Sequence, residues 1–278
     1  MTTPITETGR ADWDAYRADW HAWRAGWEQW LAQPHNWLSA VAVNWLDHTP
    51  RRFDGTPGLW WQDGDQVMID PNGATMAFDG TEFTQTRALS LADGPDDQRV
   101  TAGDLQIGIT YRQAYHIVTY DPSAPARNAF HGVPTFEPNP DWIINGRFEA
   151  FDNDQSLALG TVGWREHDYT SPGVVRFEHD DTPYELQVIA SAGRHTTVFT
   201  DATSGDTTYP AGRALDIPAP ANDGTVTLDF NRAVNLPCAF GDFFPICPTP
   251  PAGNRYPFRI EAGEKTPAKQ GGPHVRTT

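Results

Sequence analysis

The sequence predicts a mainly β protein: an antiparallel sandwich or partly open barrel with an N-terminal helical cap. Three observations carry this. From residue 55 onward the chain breaks into short segments rich in β-branched and aromatic residues, among them GLWWQ, QVMID, LQIGITYR, AYHIVTYD and TVTLDF. Clusters of turn formers separate them: DPNGAT, DDTP, SGDT and ANDGT. Ahead of them lies one stretch with a different period.

That stretch is WDAYRADWHAWRAGWEQW. Trp13, Tyr16, Trp20, Trp23, Trp27 and Trp30 recur at gaps of three and four, the spacing of one helical face. Asp14, Arg17, Asp19, Arg24 and Glu28 fall between them and are read as facing outward. Asp12 suits an N-cap, and Gln33-Pro34 supplies the stop, because a residue before proline avoids the helical region. The helix is therefore placed over 12–32. A second short helix is expected in NWLSAVAVNWLD, capped by Asn36 and ended at Thr49-Pro50, so that the helical part reaches about residue 48. The stripe covers under three heptads and uses Trp where a two-helix seam uses Leu. A helix clamped onto a β core fits it better, with Trp23 as a core position. A dimer face and one wall of a cleft are the alternatives.

In the β part, Asn72-Gly73 within DPNGAT is a hairpin signal, and GVVRFEHDDTPYELQVI reads as a second hairpin. There is no βαβ alternation, no Gly-rich nucleotide loop and no internal repeat. DPSAPARNAFHGVPTFEPNP, residues 121–140, carries five prolines and no obvious element. A loop that long is functional or disordered. Phe130, Val133 and Phe136 argue for packing, and Asp121, Arg127, His131 and Glu137 are site candidates there. Residues 1–11 and the tail 265–278 read as disordered, which leaves one domain over 12–264.

Charge excludes some functions. With 36 acidic against 20 basic residues the net charge is −16, which argues against nucleic acid and against anionic membranes. No apolar run approaches the roughly 18 residues of a membrane span. MTTPITETGR has no basic region followed by an apolar one, so a cytoplasmic location is expected. Cys238 and Cys247 lie in NLPCAFGDFFPICPTPP. Two thiols cannot close a zinc site, which leaves buried thiols, a disulfide across a short loop, or a reactive thiol.

The C-terminal segment holds the densest set of polar residues. Asp201, Asp229 and Glu264 are the candidate catalytic groups, since paired carboxylates can do acid–base work. Arg127, His131, Tyr209, Arg213, Asn231, Asn235, Asn254 and Arg255 are the ligand-binding candidates. No metal site is assigned, because DATSGD is a poor match to a calcium loop. The competing reading is structural. Asp and Thr of DATSG are turn formers, Asp229 and Asn231 can tie down backbone N–H groups, and Arg213 or Arg255 can pair with them.

Several of these pieces occur together in a known order. They are F-x-D-x-T-x-G-x-x-T-Y at Phe199 to Tyr209, Gly212-Arg213, Asp229 to Asn231, N-x-P-C-A at Asn235 to Ala239, C-P-x-P-P at Cys247 to Pro251, Asn254-Arg255, and A-G-E-K at Ala262 to Lys265. In this order and spacing the chain resembles the family called domain of unknown function 1684 (DUF1684), found in bacteria and archaea. W-L-S…W-L at Trp37 to Leu46, D-P-x-x-P-x-R…F-x-G at Asp121 to Gly132, and PGVVRFEHDDTPYEL extend the resemblance over nearly the whole chain. The chain departs from it at Val234-Asn235-Leu236-Pro237-Cys238, where members commonly carry Tyr-Asn-Pro-Pro-Cys. The family has no established activity, so the resemblance implies no mechanism and no cofactor. The expectation is a β scaffold that binds a small-molecule ligand in an aromatic-lined cleft closed by the 121–140 loop, as a monomer or homodimer. A cofactor-free or metal-assisted hydrolase using the C-terminal carboxylates, and a structural module, are the alternatives.

Overall fold

The computed structural model describes residues 7–90, 98–111, 114–163, 166–191 and 193–268. The chain divides into two compact units. The described residues of the first are 7–29, 132–239 and 246–268; those of the second lie within 30–131, together with 240–245.

The second unit is all antiparallel β apart from short helical turns. Its strands are β1 (Ala40–Trp45), β2 (Arg51–Phe53), β3 (Thr56–Asp63), β4 (Gln66–Asp70), β5 (Met76–Phe78), β6 (Thr81–Phe83), β7 (Arg87–Ser90), β8 (Gln98–Ala102), β9 (Leu105–Tyr111) and β10 (Tyr115–Tyr120). They build a six-stranded sheet, β1-β10-β9-β8-β5-β6, and a four-stranded one, β2-β3-β4-β7. The two sheets share one core, with Trp60, Val67 and Ile69 from one and Val100, Ile107 and Ile117 from the other. This is the sandwich arrangement, and no barrel closes.

Two sequence expectations fail here. The second helix is absent. Asn36 does cap a turn, through Oδ1 to the Trp37 N–H at 2.8 Å, but the turn is three residues of 3-10 helix and leads into strand β1. Ala42 and the β-branched Val43 pair in register with Thr119 and Val118 of β10, whose every residue is buried, and this pairing outweighs a weak helical pattern. The Asn72-Gly73 turn also makes no hairpin. Both residues have positive φ, 51° and 88°, as a tight hairpin turn needs. Yet β4 before it pairs β3 and β7, whereas β5 after it pairs β6 and β8. The turn carries the chain from one sheet to the other.

The first unit holds α1 (Glu7–Leu31) as far as Gln29, and an eight-stranded antiparallel sheet. The second unit also holds a short helix, α2 (Pro125–Asn128). The sheet's strands are β11 (Ile143–Gly160), β12 (Glu166–His179), β13 (Thr182–Gln187), β14 (Ile189–Ser191), β15 (Arg194–Phe199), β16 (Arg213–Ile217), β17 (Thr225–Asp229) and β18 (Val234–Asn235), in the order β17-β11-β12-β14-β15-β16-β18 with β13 also on β12. The hairpin read from GVVRFEHDDTPYELQVI is the β12–β13 pair. Asp180 and Asp181 turn it with φ of 49° and 57°. Its core joins Val175, Phe177, Phe199, Leu215 and Leu228 of the sheet to Phe230, Tyr256, Ile260 and Ala262 of the C-terminal segment. That segment is irregular in structure but buried in fact.

Structure extends into both stretches that the sequence reads as disordered. Residues 7–11 belong to α1, and 1–6 lie outside the described residues. Lys265 donates its N–H to Pro134 O at 2.8 Å and Thr266 to Thr207 O at 3.1 Å, so the chain is held past Glu264; residues from 269 lie outside the description.

Candidate functional site

The polar residues of the C-terminal segment gather beneath α1, within the first unit. Their geometry begins with a turn. Asp201 Oδ1 accepts from the Thr203 N–H at 2.8 Å and the Thr203 hydroxyl at 2.6 Å, and the Ile260 N–H reaches it at 3.2 Å. Its other oxygen takes Arg213 Nη2 at 2.8 Å. Arg213 is fully buried on β16; it also donates to the carbonyls of Ile260 at 3.0 Å and Ala262, and its guanidinium lies 5.1 Å from the Phe199 ring centroid. Burial lowers the Arg213 pKa, while Asp201 and then Glu264 oppose the shift. Gly212 precedes it because φ is +97° and a Cβ would meet Phe199 O at 2.4 Å.

Glu264 is the second centre and is also fully buried. It accepts from Arg24 Nη1 at 2.5 Å, Trp27 Nε1 at 2.9 Å and the Asn235 N–H at 2.6 Å. Arg24 goes on to Glu28 at 2.9 Å and Val133 O at 2.7 Å. Burial raises the Glu264 pKa above the usual carboxylate range, and Arg24, the Asn235 N–H and Trp27 only partly offset it. Gly263 is forced by the same crowding, with φ at +71° and a Cβ position 2.5 Å from Ala233 O.

Asp229 lies at the end of β17. It accepts the Tyr16 hydroxyl on both oxygens at 2.9 Å, Arg232 Nε at 3.1 Å and the Asn231 N–H at 3.2 Å. Burial, followed by the Asp229 charge, pushes the Tyr16 phenol well above its ordinary range. Asn231 exchanges two hydrogen bonds with the Asn139 backbone, at 2.9 and 3.0 Å, while its carbonyl takes Trp20 Nε1 at 2.9 Å. Asn235 adds a bond to Lys265 O at 2.9 Å. Asn254 bridges β13 and β15: Oδ1 accepts the Gln187 N–H at 2.7 Å, and Nδ2 donates to Gln187 O, Thr197 Oγ1 and Val198 O between 2.8 and 3.1 Å.

The remaining candidates have other partners or positions. Tyr209 donates to Cys238 O at 2.8 Å, and the exposed Arg255 donates to Pro250 O at 3.4 Å. Arg127 and His131 belong to the second unit. Arg127 holds the carbonyls of Ala32 and Pro122, each at 2.8 Å, and His131 is exposed. The pairing expected between Arg213 or Arg255 and Asp229 is not formed, since Arg213 takes Asp201 and Asp229 takes Tyr16 and Arg232.

The Asp201 and Glu264 side chains are closed off from solvent, at 0% and 1% exposure, and Asp229 is 19% exposed. Asp201 and Glu264 each face inward to a separate arginine. Sequence reasoning missed Arg24 and Glu28, read as outward-facing. Arg24 is buried, 7% exposed. Its spacing was the available signal: it lies four residues after Trp20 and three before Trp27, on the stripe itself. A concave surface of this unit lies away from them. Phe136, Glu137, Pro138, Asn139, Trp142, Arg259 and Glu261 line an open cleft of about 510 Å³. Lys265 Nζ stands 4.4 Å from the Phe136 ring centroid, and Arg259 is held by Glu261 and Asp206, each at 2.9 Å. Among the described residues no group of three or more His, Cys, Asp or Glu could hold a metal ion, and no helix is long and apolar enough to cross a membrane.

Residues 128–265 match the family described as "Protein of unknown function (DUF1684)". The chain belongs to the DUF1684 family. The match covers about half of the chain, where the motif reading extended the resemblance over nearly all of it: Trp37 to Leu46 and Asp121 to Arg127 fall outside. The solution NMR structure of an uncharacterized protein of Haloarcula marismortui is 30% identical, with 52% of this chain and 83% of that one covered and a TM-score of 0.43. No curated protein matches. Within this DUF1684 chain the matched region contains every C-terminal motif residue described above, together with the cleft.

Proposed function

We propose that the first unit of this DUF1684 protein is a non-catalytic binding module for a small ligand. The observation that supports this is the cleft. Its volume, about 510 Å³, falls in the range of small-molecule sites. Phe136, Pro138 and Trp142 give it an apolar wall, and Glu137, Arg259 and Glu261 give it charged groups at one rim. Such a lining suits a small molecule with one flat apolar part and one polar end. The 121–140 loop contributes four of the lining residues.

The hydrolase alternative finds less support. A general acid or base must reach its substrate, and Asp201 and Glu264 are saturated by internal partners. Those residues act as clamps between β16, α1 and the C-terminal segment. The net charge of −16 supports partners other than nucleic acid or anionic membrane. A cytoplasmic location and a monomeric or homodimeric state belong to the same reading.

Ligand-observed NMR against a panel of small amphipathic molecules tests it, run in parallel on the Glu137→Ala and Phe136→Ala variants. Binders whose signal weakens in both variants uphold the cleft. A panel that gives no binder, or only binders indifferent to both substitutions, rejects it.

A further inference from the structure

Glu137, Arg259 and Glu261 are the charged residues in the lining of the cleft, and their bonding decides which charge it can take. Arg259 is the basic one, and each of its three side-chain nitrogens already has a partner. Nε donates to Glu261 at 2.9 Å, Nη2 to Asp206 at 2.9 Å and Nη1 to Ala202 O at 3.3 Å. A guanidinium tied in this way has no matched pair of N–H groups left to receive a carboxylate or phosphate at two points. Glu137, by contrast, is exposed and enters no ion pair among the described residues. With Asp206 on the guanidinium and Lys265 on the Phe136 ring, three carboxylates stand against two cations at and beside the cleft.

The apolar wall points the same way. An aromatic face carries negative charge density and attracts a cation, and the Phe136 ring already does so with Lys265 Nζ, 4.4 Å from its centroid. The wall is also held in position by the fold. The Phe136 N–H donates to Gly263 O at 2.9 Å and the Trp142 N–H to Asn139 O at 3.1 Å, while Asn231 grips the Asn139 backbone with two hydrogen bonds. Trp142 stacks on His179 with the ring centroids 5.2 Å apart. Taking the cleft as the binding site proposed above, we infer that its ligand is an organic cation: a small amine whose ammonium pairs with Glu137 and whose flat apolar part lies against Phe136 and Trp142. At an exposed site a carboxylate and an aromatic face each favour an ammonium modestly, and together by about tenfold over an uncharged group.

Titrations of the full chain at neutral pH, followed by ligand-observed NMR, compare benzylammonium, benzyl alcohol and phenylacetate, which share one ring and differ in the charge of the end group. Benzylammonium is expected to bind about tenfold more tightly than either of the others. Glu137→Gln removes most of that margin. Glu166→Gln keeps it: Glu166 is exposed and pairs with Gly160, at the opposite end of β11 from Trp142, and so reports the general pull of an acidic chain on a cation. Probes that bind alike, or phenylacetate binding tightest, with losses in Phe136→Ala, would overturn the cation and leave the cleft standing. No binding by any of the three, or binding indifferent to both Glu137→Gln and Phe136→Ala, would overturn cation and cleft together. A benzylammonium margin untouched by Glu137→Gln, or lost equally in Glu166→Gln, overturns the pairing with Glu137 even where the Phe136→Ala protein folds poorly.

Discussion

Arg213 and Asp201 meet at 2.8 Å with no solvent exposure on either side chain. Two charges removed from water cost several kcal/mol each, and a pair recovers this only when its other hydrogen bonds are also made. Here they are nearly all made. Asp201 accepts from Thr203 and Ile260, and Arg213 donates to Ile260 and Ala262. Removing one partner leaves the other charged and enclosed. Asp201→Asn and Arg213→Met should each lower stability by about 3–5 kcal/mol in urea unfolding. The pair Asp201→Leu with Arg213→Met should lose less than the two single changes summed. Additive losses would mean that the ion pair is not the joint holding Ile260 and Ala262 in place.

Glu264 gives a pH dependence of definite sign. Its pKa is raised in the folded chain, first by burial, against the opposing pull of Arg24. A group of that kind favours folding below its unfolded pKa, and the favour is lost as pH rises through its folded pKa. Wild type should therefore lose stability relative to Glu264→Gln as pH rises from the unfolded carboxylate range, about 4.3, upward. Unfolding curves for both proteins between pH 4 and 8 measure this. A wild-type advantage that grows with pH would show that Arg24 dominates and that the pKa is lowered instead.

What the sequence disclosed depends on how far apart the interacting residues lie. The β class, the antiparallel arrangement, the first helix and the β12–β13 hairpin rest on local patterns, and these were legible. The Asn72-Gly73 turn has the right local conformation, but its flanking strands chose partners elsewhere, which no local signal encodes. The strand at Val43 likewise depends on Val118 of β10, far along the chain. The site followed the same division. The motif residues stood out as unusual, yet Arg24 meets Glu264 across 240 positions and Tyr16 meets Asp229 across 213. Their roles as clamps came from pairings that only the folded chain brings together.

Asn254 tests the clamp reading away from any charge. One side chain makes four hydrogen bonds, tying Gln187 of β13 to Thr197 and Val198 of β15. Asn254→Ala leaves these groups unpaired in a buried place, at roughly 1 kcal/mol or more for each group stranded. A total loss of about 2–4 kcal/mol is expected, with no change in the unfolding slope. Asn254→Asp should also destabilise, because its carboxylate would face the carbonyls of Gln187 and Val198 in place of a donor. A loss below 0.5 kcal/mol for both variants in urea melts would remove Asn254 from the clamp.

The aromatic stripe is not uniform, and its two central tryptophans separate two kinds of contact. Trp20 is 3% exposed and donates Nε1 to Asn231 O at 2.9 Å, whereas Trp23 is only half-buried, with Arg232 standing 5.2 Å from its ring. From sequence, Trp23 is a core position whose removal costs several kcal/mol. The structure moves that cost one turn back along the helix. Trp20→Ala should lose about 3–5 kcal/mol, as for a fully buried aromatic. Trp23→Ala should lose about 1 kcal/mol, the scale of a partly exposed ring under a guanidinium. Trp20→Phe keeps most of the packing but drops the Nε1 donor, so its loss should fall between those two values. Denaturant melts of the three variants order the contributions. Should Trp23→Ala prove the most harmful, the helix would sit on the first unit with its face rotated from the one described.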